Sequence, residues 1–178
     1  MTTGDSIVRT ARLELIPWTL PLIDAFIAND RAAAEAALGT LFAEPFAAPP
    51  ETDDILPFFR KVIAEDTLKG VFVPRMIVRV ADRMSVGSIG CMAPDEAGAS
   101  LFGYGIYPAF EGNGYASEAA TGIVDWALAL DGIRSVTATI PVGHTASEIV
   151  STRAGLVNSG RQTQDDGMTL NIWERRRG

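Results

Sequence analysis

The sequence predicts an α/β (α+β) fold, in which helices flank a mixed, mostly antiparallel central sheet. Two observations carry this prediction. Hydrophobic periodicity changes between the helical and the extended type along the chain, in the order β-αα-α-βββ-α-β-α-ββ. The length of 178 residues and the 47% content of hydrophobic residues suit one well-buried core, and no repeat or low-complexity linker divides the chain. We therefore expect a single domain over residues 1–178.

The N-terminal part is predicted to be a strand followed by three helices. Its strand alternates apolar and polar side chains, and the following helices show apolar residues at helical spacing. In order, these elements are a strand at Arg12–Trp18 that Pro17 stops, two helices within Pro21–Leu38 that separate near Asn29–Asp30, a loop at Ala43–Pro50, and a helix from Ile55 to Ile63 that Thr52 or Asp53 can cap.

The remainder of the chain is predicted to begin with three strands, followed by a helix, a strand, a second helix and two closing strands. Its first two strands form a hairpin around a short polar turn, with an interruption at Pro74. The elements are strands at Val71–Val80, Ser85–Met92 and Ser100–Tyr107, a helix at Tyr115–Leu130, a strand at Ser135–Ile140, a helix at Thr145–Ala154, and closing strands at Leu156–Gln164 and Met168–Glu174.

Composition and charge exclude several classes of protein. A net charge of −7 argues against a nucleic-acid partner, and the basic run Arg175–Arg177 is interpreted as a solvated tail. No apolar run is long enough for a membrane span, and Met1 to Arg12 contain no apolar core of a signal peptide. The single cysteine, Cys91, excludes an intrachain disulfide or a multi-cysteine metal site. It favours a cytoplasmic location.

Two glycines, Gly112 and Gly114, separate the predicted third strand from the following helix. Glycine lets the backbone approach an anion, and the first amides of a helix have no intrahelical partner, so this pattern is typical of a pyrophosphate site. It is equally the pattern of a flexible strand-to-helix turn, and both interpretations stay open. A Rossmann site is disfavoured because the preceding strands are predicted to be antiparallel and the loop comes late in the chain.

Three segments in the same order resemble a known family. They are Thr10 to Trp18 with Asp24 shortly after, Phe102 to Ala119 with the loop Glu-Gly-Asn-Gly-Tyr-Ala, and His144 to Ser147 followed by Arg153-Ala154-Gly155-Leu156. Together they resemble the GCN5-related N-acetyltransferase (GNAT) superfamily, and more narrowly the branch that contains ribosomal-protein N-terminal alanine acetyltransferases. The second segment is similar to the acetyl-CoA motif of the family.

The resemblance implies a GNAT-like domain that transfers an acetyl group from acetyl-CoA to a primary amine by direct attack, with no metal. The amine would belong to a small molecule or a protein N-terminus. Relatives are often dimers, so a homodimer is one open alternative for the oligomeric state. Backbone N–H groups of the loop would hold the pyrophosphate, and the preceding strand would pair with the pantetheine arm. The implied cofactor-binding residues are Ile106, Tyr107, Glu111, Gly112, Asn113, Gly114, Tyr115, Ala116 and Ser117. The implied catalytic residues near the thioester are His144 and Ser147.

Three positions depart from the family pattern. Glu111 stands where Gln or Arg is usual, and its carboxylate repels a pyrophosphate unless it points away. Leu101 stands where relatives often place a glutamate that accepts the amine proton. His144 replaces the usual Asn. These departures keep open a second hypothesis, a catalytically degenerate protein that binds acyl-CoA as a sensor or scaffold.

Several of these residues also have ordinary structural interpretations. His144 can act as a base or simply be an exposed residue at a helix N-terminus, and Ser147 can donate a proton or satisfy a first-turn amide. Cys91 is interpreted as a packed strand residue because no base accompanies it. Strand alternation is expected to bury either Tyr104 or Tyr107. Three aromatic residues are interpreted as core, namely Trp18, Phe58 and Phe59, although the helix of the phenylalanines often lines the acceptor site in relatives.

Overall fold

In the computed structural model, which describes residues 7–66 and 71–178, eight strands form one sheet in the order β1-β2-β3-β4-β5-β6-β8-β7. All neighbouring strands are antiparallel except β5 and β6, which are parallel. The strands are β1 (Val8–Arg9), β2 (Leu13–Pro17), β3 (Arg75–Arg79), β4 (Met84–Cys91), β5 (Ala99–Ile106), β6 (Ser135–Pro141), β7 (Val157–Thr163) and β8 (Thr169–Arg176). The predicted mixed, mostly antiparallel sheet is confirmed. Residues 1–6 and 67–70 lie outside the described ranges, and so do the predictions made for them.

Five α-helices accompany the sheet within the described ranges. The predicted break near Asn29–Asp30 is confirmed, since the side chain of Asp30 accepts a hydrogen bond from Ala33 N–H and begins a second helix. The helices are α1 (Leu20–Ile27), α2 (Arg31–Leu38), α3 (Leu56–Ala64), α4 (Tyr115–Ala129) and α5 (Thr145–Arg153). Short 3-10 turns at Asp53–Ile55 and Pro108–Phe110 precede α3 and the loop before α4.

The sheet separates two hydrophobic cores. On one face, α4 packs its buried side against alternate residues of β2 to β6, and Ala119, Ile123 and Ala127 are fully buried there. On the other face, α1, α2 and α3 enclose a second core around Trp18 and Phe26, whose rings lie 5.7 Å apart between centroids. Helix α4 thus has apolar surface toward the sheet over its whole length, as its spacing of alanine and β-branched residues predicts.

A β-bulge and a glycine bring β4 close to β5. The register of β3 against β4 passes from Gly87 opposite Ile77 to Ser85 opposite Val78, which leaves Val86 as the extra residue. A side chain at Gly87 would place its Cβ 2.2 Å from the carbonyl oxygen of Gly105. Glycine is therefore required at position 87 for the two strands to approach each other.

Four expectations need correction. Strand β1 was not predicted, because a two-residue strand carries no periodicity. The side chain of Thr52 makes no capping hydrogen bond and instead donates to Pro49 O. Phe58 is 54% exposed, because it faces away from the second core that buries Trp18 and Phe59. Neither Tyr104 nor Tyr107 is fully buried, since Tyr104 lines an opening in the sheet and Tyr107 packs at the margin of the second core.

Candidate active site

A groove opens where β5 and β6 separate. The two strands pair only from Ala99 to Leu101, opposite Ser135 to Thr137. Beyond this point β5 stays paired with β4, and β6 with β8, so the strands diverge and leave a gap in the middle of the sheet. The N-terminal ends of α4 and α5 flank the gap, and the resulting cavity has a volume of about 930 Å³.

Backbone groups of β5 face into this groove. Met92 N–H donates to Leu101 O at 2.8 Å and Tyr107 N–H donates to Val86 O at 3.0 Å, so Leu101 and Tyr107 direct their peptide groups toward β4. Because alternate residues of a strand direct their peptide groups to opposite edges, Tyr104 and Ile106 direct theirs toward the gap. The strand thus presents a free edge beside β6, to which an extended group can hydrogen-bond.

Ile106 and Tyr107 are placed differently from each other. Ile106 lines the groove, as the resemblance implies. Both main-chain groups of Tyr107 are used within the protein, since its N–H donates to Val86 O and its carbonyl oxygen accepts from Phe110 N–H at 2.8 Å. Its hydroxyl donates to Ala47 O. We therefore do not place Tyr107 among the binding residues, because it turns away from the gap.

The loop before α4 forms the wall at one end of the groove. Gly112 and Gly114 both adopt the left-handed conformation, with φ of 76° and 78°. The first helical hydrogen bond of α4 runs from Glu118 N–H to Gly114 O at 3.1 Å. The amides of Tyr115, Ala116 and Ser117 precede it and have no intrahelical acceptor, so they give the groove the positive end of the helix dipole.

Two of the predicted loop residues support the loop from behind. The side chain of Asn113 donates to the carbonyl oxygens of Phe110 and Glu111, both at 3.0 Å, and does not line the groove. The ring of Tyr115 is 7% exposed and packs in the α4 core, and its hydroxyl accepts from Arg79 at 3.0 Å. Their side chains shape the loop, and only the main chain of Tyr115 reaches the groove side.

The remaining loop positions line the groove, but the two glycines differ. Glu111 is exposed at the groove margin. A Cβ added at Gly112 would meet nothing within 4 Å, whereas one added at Gly114 would lie 3.6 Å from the Arg12 guanidinium. A side chain at Gly114 would consequently point toward Arg12 and not over the groove. Gly114 matters for its backbone conformation, while the space above the loop lies over Gly112.

His144 and Ser147 both line the groove from the start of α5. His144 is the exposed N-cap residue, and its side chain makes no capping hydrogen bond. The Ser147 hydroxyl lies 3.2 Å from the hydroxyl of Tyr104, which reaches across from β5. Burial raises the pKa of Tyr104 above its ordinary value of 10.0, so the hydroxyl keeps its proton at neutral pH. The two hydroxyls thus lie within hydrogen-bonding distance of each other on the lining of the groove.

Two residues were missed as functional candidates by sequence reasoning. Arg153, the last residue of α5, lines the groove and donates to Ser117 Oγ at 3.4 Å, beside the free amides of α4. Tyr104 was considered only as a strand residue that alternation could bury. Arg153 could have been predicted as a binding residue, because it is a basic residue within a segment that resembles a family motif. The Tyr104 to Ser147 contact joins residues 43 apart in sequence, and no local pattern shows it.

Other kinds of site were also sought. Within residues 7–66 and 71–178, no three His, Cys, Asp or Glu side chains are grouped so that they could hold a metal ion. In the same ranges, every helix is too short or too polar to cross a membrane. Cys91 is 3% exposed, and burial raises the pKa of its thiol to about 12, which confirms it as a packed strand residue.

Comparison with known proteins agrees with this geometry. The chain is 26% identical over 154 residues to the uncharacterized N-acetyltransferase YjdG of Bacillus subtilis (strain 168), covering 85% of this chain and 89% of that protein. Its fold is similar to that of the ribosomal-protein-S5-alanine acetyltransferase from Vibrio fischeri, with a TM-score of 0.68, 12% identity and 97% of each chain covered. It is also similar to RimL, a ribosomal L7/L12 α-N-protein acetyltransferase solved with coenzyme A, with a TM-score of 0.66, 16% identity, and 96% of this chain and 97% of that chain covered.

The acetyltransferase (GNAT) domain model matches residues 12–157, which is most of the chain. This match includes the diverging strands β5 and β6, the glycine loop, the Tyr104 and Ser147 pair, and Arg153. The chain therefore belongs to the GNAT acetyltransferase domain family and is an acetyltransferase.

Proposed function

We propose that this protein transfers an acetyl group from acetyl-CoA to a primary amine, either of a small molecule or of a protein N-terminus. One observation carries the proposal. The gap between β5 and β6 runs from the free amides of Ala116 and Ser117 to the hydroxyl pair of Tyr104 and Ser147, so it joins an anion-binding end to a proton-donating centre. A cosubstrate with a diphosphate at one end and a thioester at the other matches this order of groups.

The residues of the groove fit coenzyme A. The backbone amides of Gly112 to Ser117 would hold the diphosphate, because they lie at the positive end of α4. Arg153 adds a cation at this end, and it offsets the repulsion from Glu111 at the margin. The gap-facing peptide groups of Tyr104 and Ile106 would pair with the amides of the pantetheine arm. The volume of about 930 Å³ lies near the upper end of the range for ligand cavities.

The chemistry divides between the cosubstrate and the protein. Acetyl-CoA supplies an activated acyl thioester. The groove orients it against the amine, whose nitrogen forms the new bond to the acyl carbon while the carbon–sulfur bond breaks. A gap-facing N–H of β5 stabilises the charge that develops on the acyl oxygen, and the Tyr104 and Ser147 pair donates a proton to the leaving thiolate. The ammonium proton of the acceptor must leave before the attack, and we assign its removal to His144, which lines the groove.

The test combines binding with turnover. Calorimetric titration measures the affinity for coenzyme A and acetyl-CoA, and a free-thiol assay measures turnover over a panel of amines and peptides. We expect binding of both and thiol release with at least one acceptor. Binding with no thiol release across the panel would favour the sensor or scaffold hypothesis. That hypothesis rests on the apolar Leu101, which stands where relatives often place a proton-accepting glutamate. Absence of binding would contradict both hypotheses.

Oligomeric state and location complete the proposal. We expect a homodimer in which the edge strand β7 is covered, because all seven of its residues are exposed and Val157 at its start is 67% exposed. Sedimentation equilibrium that shows a monomer at micromolar concentration would contradict it. We also place the protein in the cytoplasm, because its one cysteine is a free thiol.

A further inference from the structure

A second cavity lies on the opposite face of β5 from α4. Its volume is about 270 Å³, and it is bounded by α3, by the loop at residues 50–52, and by β4 and β5. Its walls include the rings of Phe59 and Phe72 and the side chains of Ile55 and Leu101. It shares the β5 segment from Phe102 to Gly105 with the coenzyme A groove, so the two cavities meet across a single strand.

Glycines make the space for this cavity. Residues 103 and 105 of β5 face α3, because the alternate residues Phe102 and Tyr104 belong to the α4 core. A Cβ added at Gly103 would meet nothing within 4 Å, so this position opens directly into the cavity. At Gly105 the missing side chain lets the carbonyl oxygen of Pro50 approach, since an added Cβ would lie 2.9 Å from it. The loop is thereby fixed against β5.

Glu51 stands where the two cavities meet. It follows Pro50 and lines both of them. Its backbone φ of 62° is left-handed, an uncommon conformation for a residue with a side chain, and such outliers concentrate at functional sites. Glu51 and the hydroxyl-bearing residues Tyr104 and Ser147 line the same groove. Burial raises the pKa of Tyr104, the hydrogen bond with Ser147 lowers it, and the negative charge of Glu51 raises it. Among the described residues that line the second cavity, Glu51 is the one acidic side chain.

From this arrangement we infer that the acceptor is a primary amine with one positive charge and a compact apolar substituent. This inference rests on the proposed acetyl transfer and names its substrate class. Glu51 binds the ammonium group at the junction, and the apolar walls around Gly103 and Phe59 bind the substituent. A polyamine does not fit, because its further ammonium groups would enter an apolar space without partners. The volume of about 270 Å³ lies just below the usual range for cavities that hold drug-sized ligands, so the substituent is small, and phenethyl serves as its probe.

Acceptor preference is the first measurement. Free-thiol release from acetyl-CoA is compared for phenethylamine, methylamine, spermidine and a short peptide that begins with phenylalanine. We expect kcat/KM for phenethylamine or the peptide to exceed that for spermidine by at least about tenfold, since the aromatic group is buried only in the first two. Phenethylamine and the peptide carry the same two groups, an amine and an aromatic ring. Comparing them shows whether the acceptor is a small-molecule amine or a protein N-terminus.

Two variants test the two halves of the site. Glu51→Gln keeps the side-chain shape and the backbone but removes the charge, and it should raise KM for phenethylamine about tenfold. Its matched control is Asp54→Asn, which removes a neighbouring exposed carboxylate outside the cavity and should leave KM unchanged. Gly103→Leu fills the cavity from a strand position, and it should raise KM for phenethylamine much more than KM for methylamine. Coenzyme A affinity should be unchanged in Asp54→Asn, and it is measured in the other two variants so that KM for the amine is compared at saturating acetyl-CoA.

Direct binding keeps the inference testable without turnover. Phenethylamine is titrated into the protein saturated with coenzyme A, and Glu51→Gln and Gly103→Leu should each weaken binding by about fivefold or more. If no amine releases thiol but this binding pattern holds, the proposed transfer fails while the recognition site stands. A preference for spermidine, or a Glu51→Gln variant that binds phenethylamine as the wild type does, would overturn the inference.

Discussion

The guanidinium of Arg12 lies 2.7 Å from the carboxylate of Glu118, measured from Nε to Oε2, although the two residues are 106 positions apart. The same guanidinium donates to the carbonyl oxygen of Asn113 and lies over the ring of Tyr115, 4.9 Å from its centroid. Thr10 donates to the same carboxylate. The segment before β2 is thus connected to the glycine loop and to the first turn of α4, where the proposed diphosphate site lies.

Arg12→Ala should weaken coenzyme A binding by about five- to tenfold. The substitution removes the donors that hold Asn113 O and the pair with Glu118, so the loop amides lose their fixed direction toward the groove. Calorimetric titration measures the effect. Arg176→Ala is the control, because this arginine is 80% exposed and pairs with Glu174 at the end of β8. Equal affinities in the two variants would show that Arg12 does not order the loop.

The stability contributed by Glu118 should depend on pH. Burial alone raises the pKa of this carboxyl, but hydrogen bonds from Thr10 and Arg12 outweigh it, and the pKa lies below its ordinary value of 4.5. A lowered pKa in the folded state means that the stabilisation is complete above about pH 4.5 and is lost as pH falls through the lowered value. Glu118→Gln should therefore be less stable than wild type by about 1 kcal/mol at pH 7. Urea unfolding should show this difference shrinking toward pH 3, and a constant difference would contradict the assignment.

The sequence was sufficient for most of the fold because its signals are local. Alternation at Leu13–Pro17, helical spacing at Tyr115–Ala129 and the break at Asp30 each arise within a few residues, and the structure confirms them. The absence of a Thr52 cap could not be foreseen, because its hydroxyl has an alternative acceptor in Pro49 that only the loop geometry provides.

The site was less predictable because it depends on contacts between distant segments. The glycine loop could be found, but the group that a side chain at Gly114 would meet is Arg12, which is far away in sequence. Tyr107 was expected to pair with the cosubstrate, but its N–H donates to Val86 O of β4 and its carbonyl oxygen accepts from Phe110 N–H, contacts that no local pattern shows. Likewise, Glu51 has no motif around it, and its position between the two cavities depends on the loop that packs Pro50 against Gly105, a contact between distant segments.

Tyr104→Phe should lower kcat by about 100-fold while coenzyme A affinity stays within twofold. Loss of the hydroxyl removes a proton donor for the leaving thiolate, and general acid catalysis of this kind contributes a factor of this order. Steady-state thiol release and calorimetric titration separate the two quantities. Tyr107→Phe is the matched control, since its hydroxyl donates to Ala47 O outside the groove. A Tyr104→Phe variant with the kcat of wild type would remove Tyr104 from the proposed chemistry.

Arg153→Ala should weaken coenzyme A binding about tenfold at low salt. The guanidinium lies beside Ser117 and the free amides of α4, where it would meet the diphosphate charge. The difference between variant and wild type should shrink at high salt, because the contact is partly exposed and is screened. Titration at two salt concentrations measures both effects. As a control, Arg60→Ala removes an arginine that pairs with Asp24 and lies outside the groove, and its affinity should equal that of wild type.

Gly87→Ala and Gly103→Ala should differ in stability although both glycines lie in neighbouring strands with ordinary backbone conformations. An added Cβ at Gly87 would lie 2.2 Å from Gly105 O and 2.9 Å from the Cα of Ile106, and these are backbone atoms that cannot move aside without separating β4 from β5. We expect a loss of about 3 kcal/mol or more in the free energy of unfolding, the upper end of overpacking costs. At Gly103 an added Cβ meets nothing within 4 Å, and the change should stay within about 0.5 kcal/mol of wild type. Urea unfolding of both variants measures the difference. Equal free energies of unfolding for the two variants would mean that β4 and β5 lie farther apart at Gly87 than described. The free edge of β5 that faces the groove would then also be displaced.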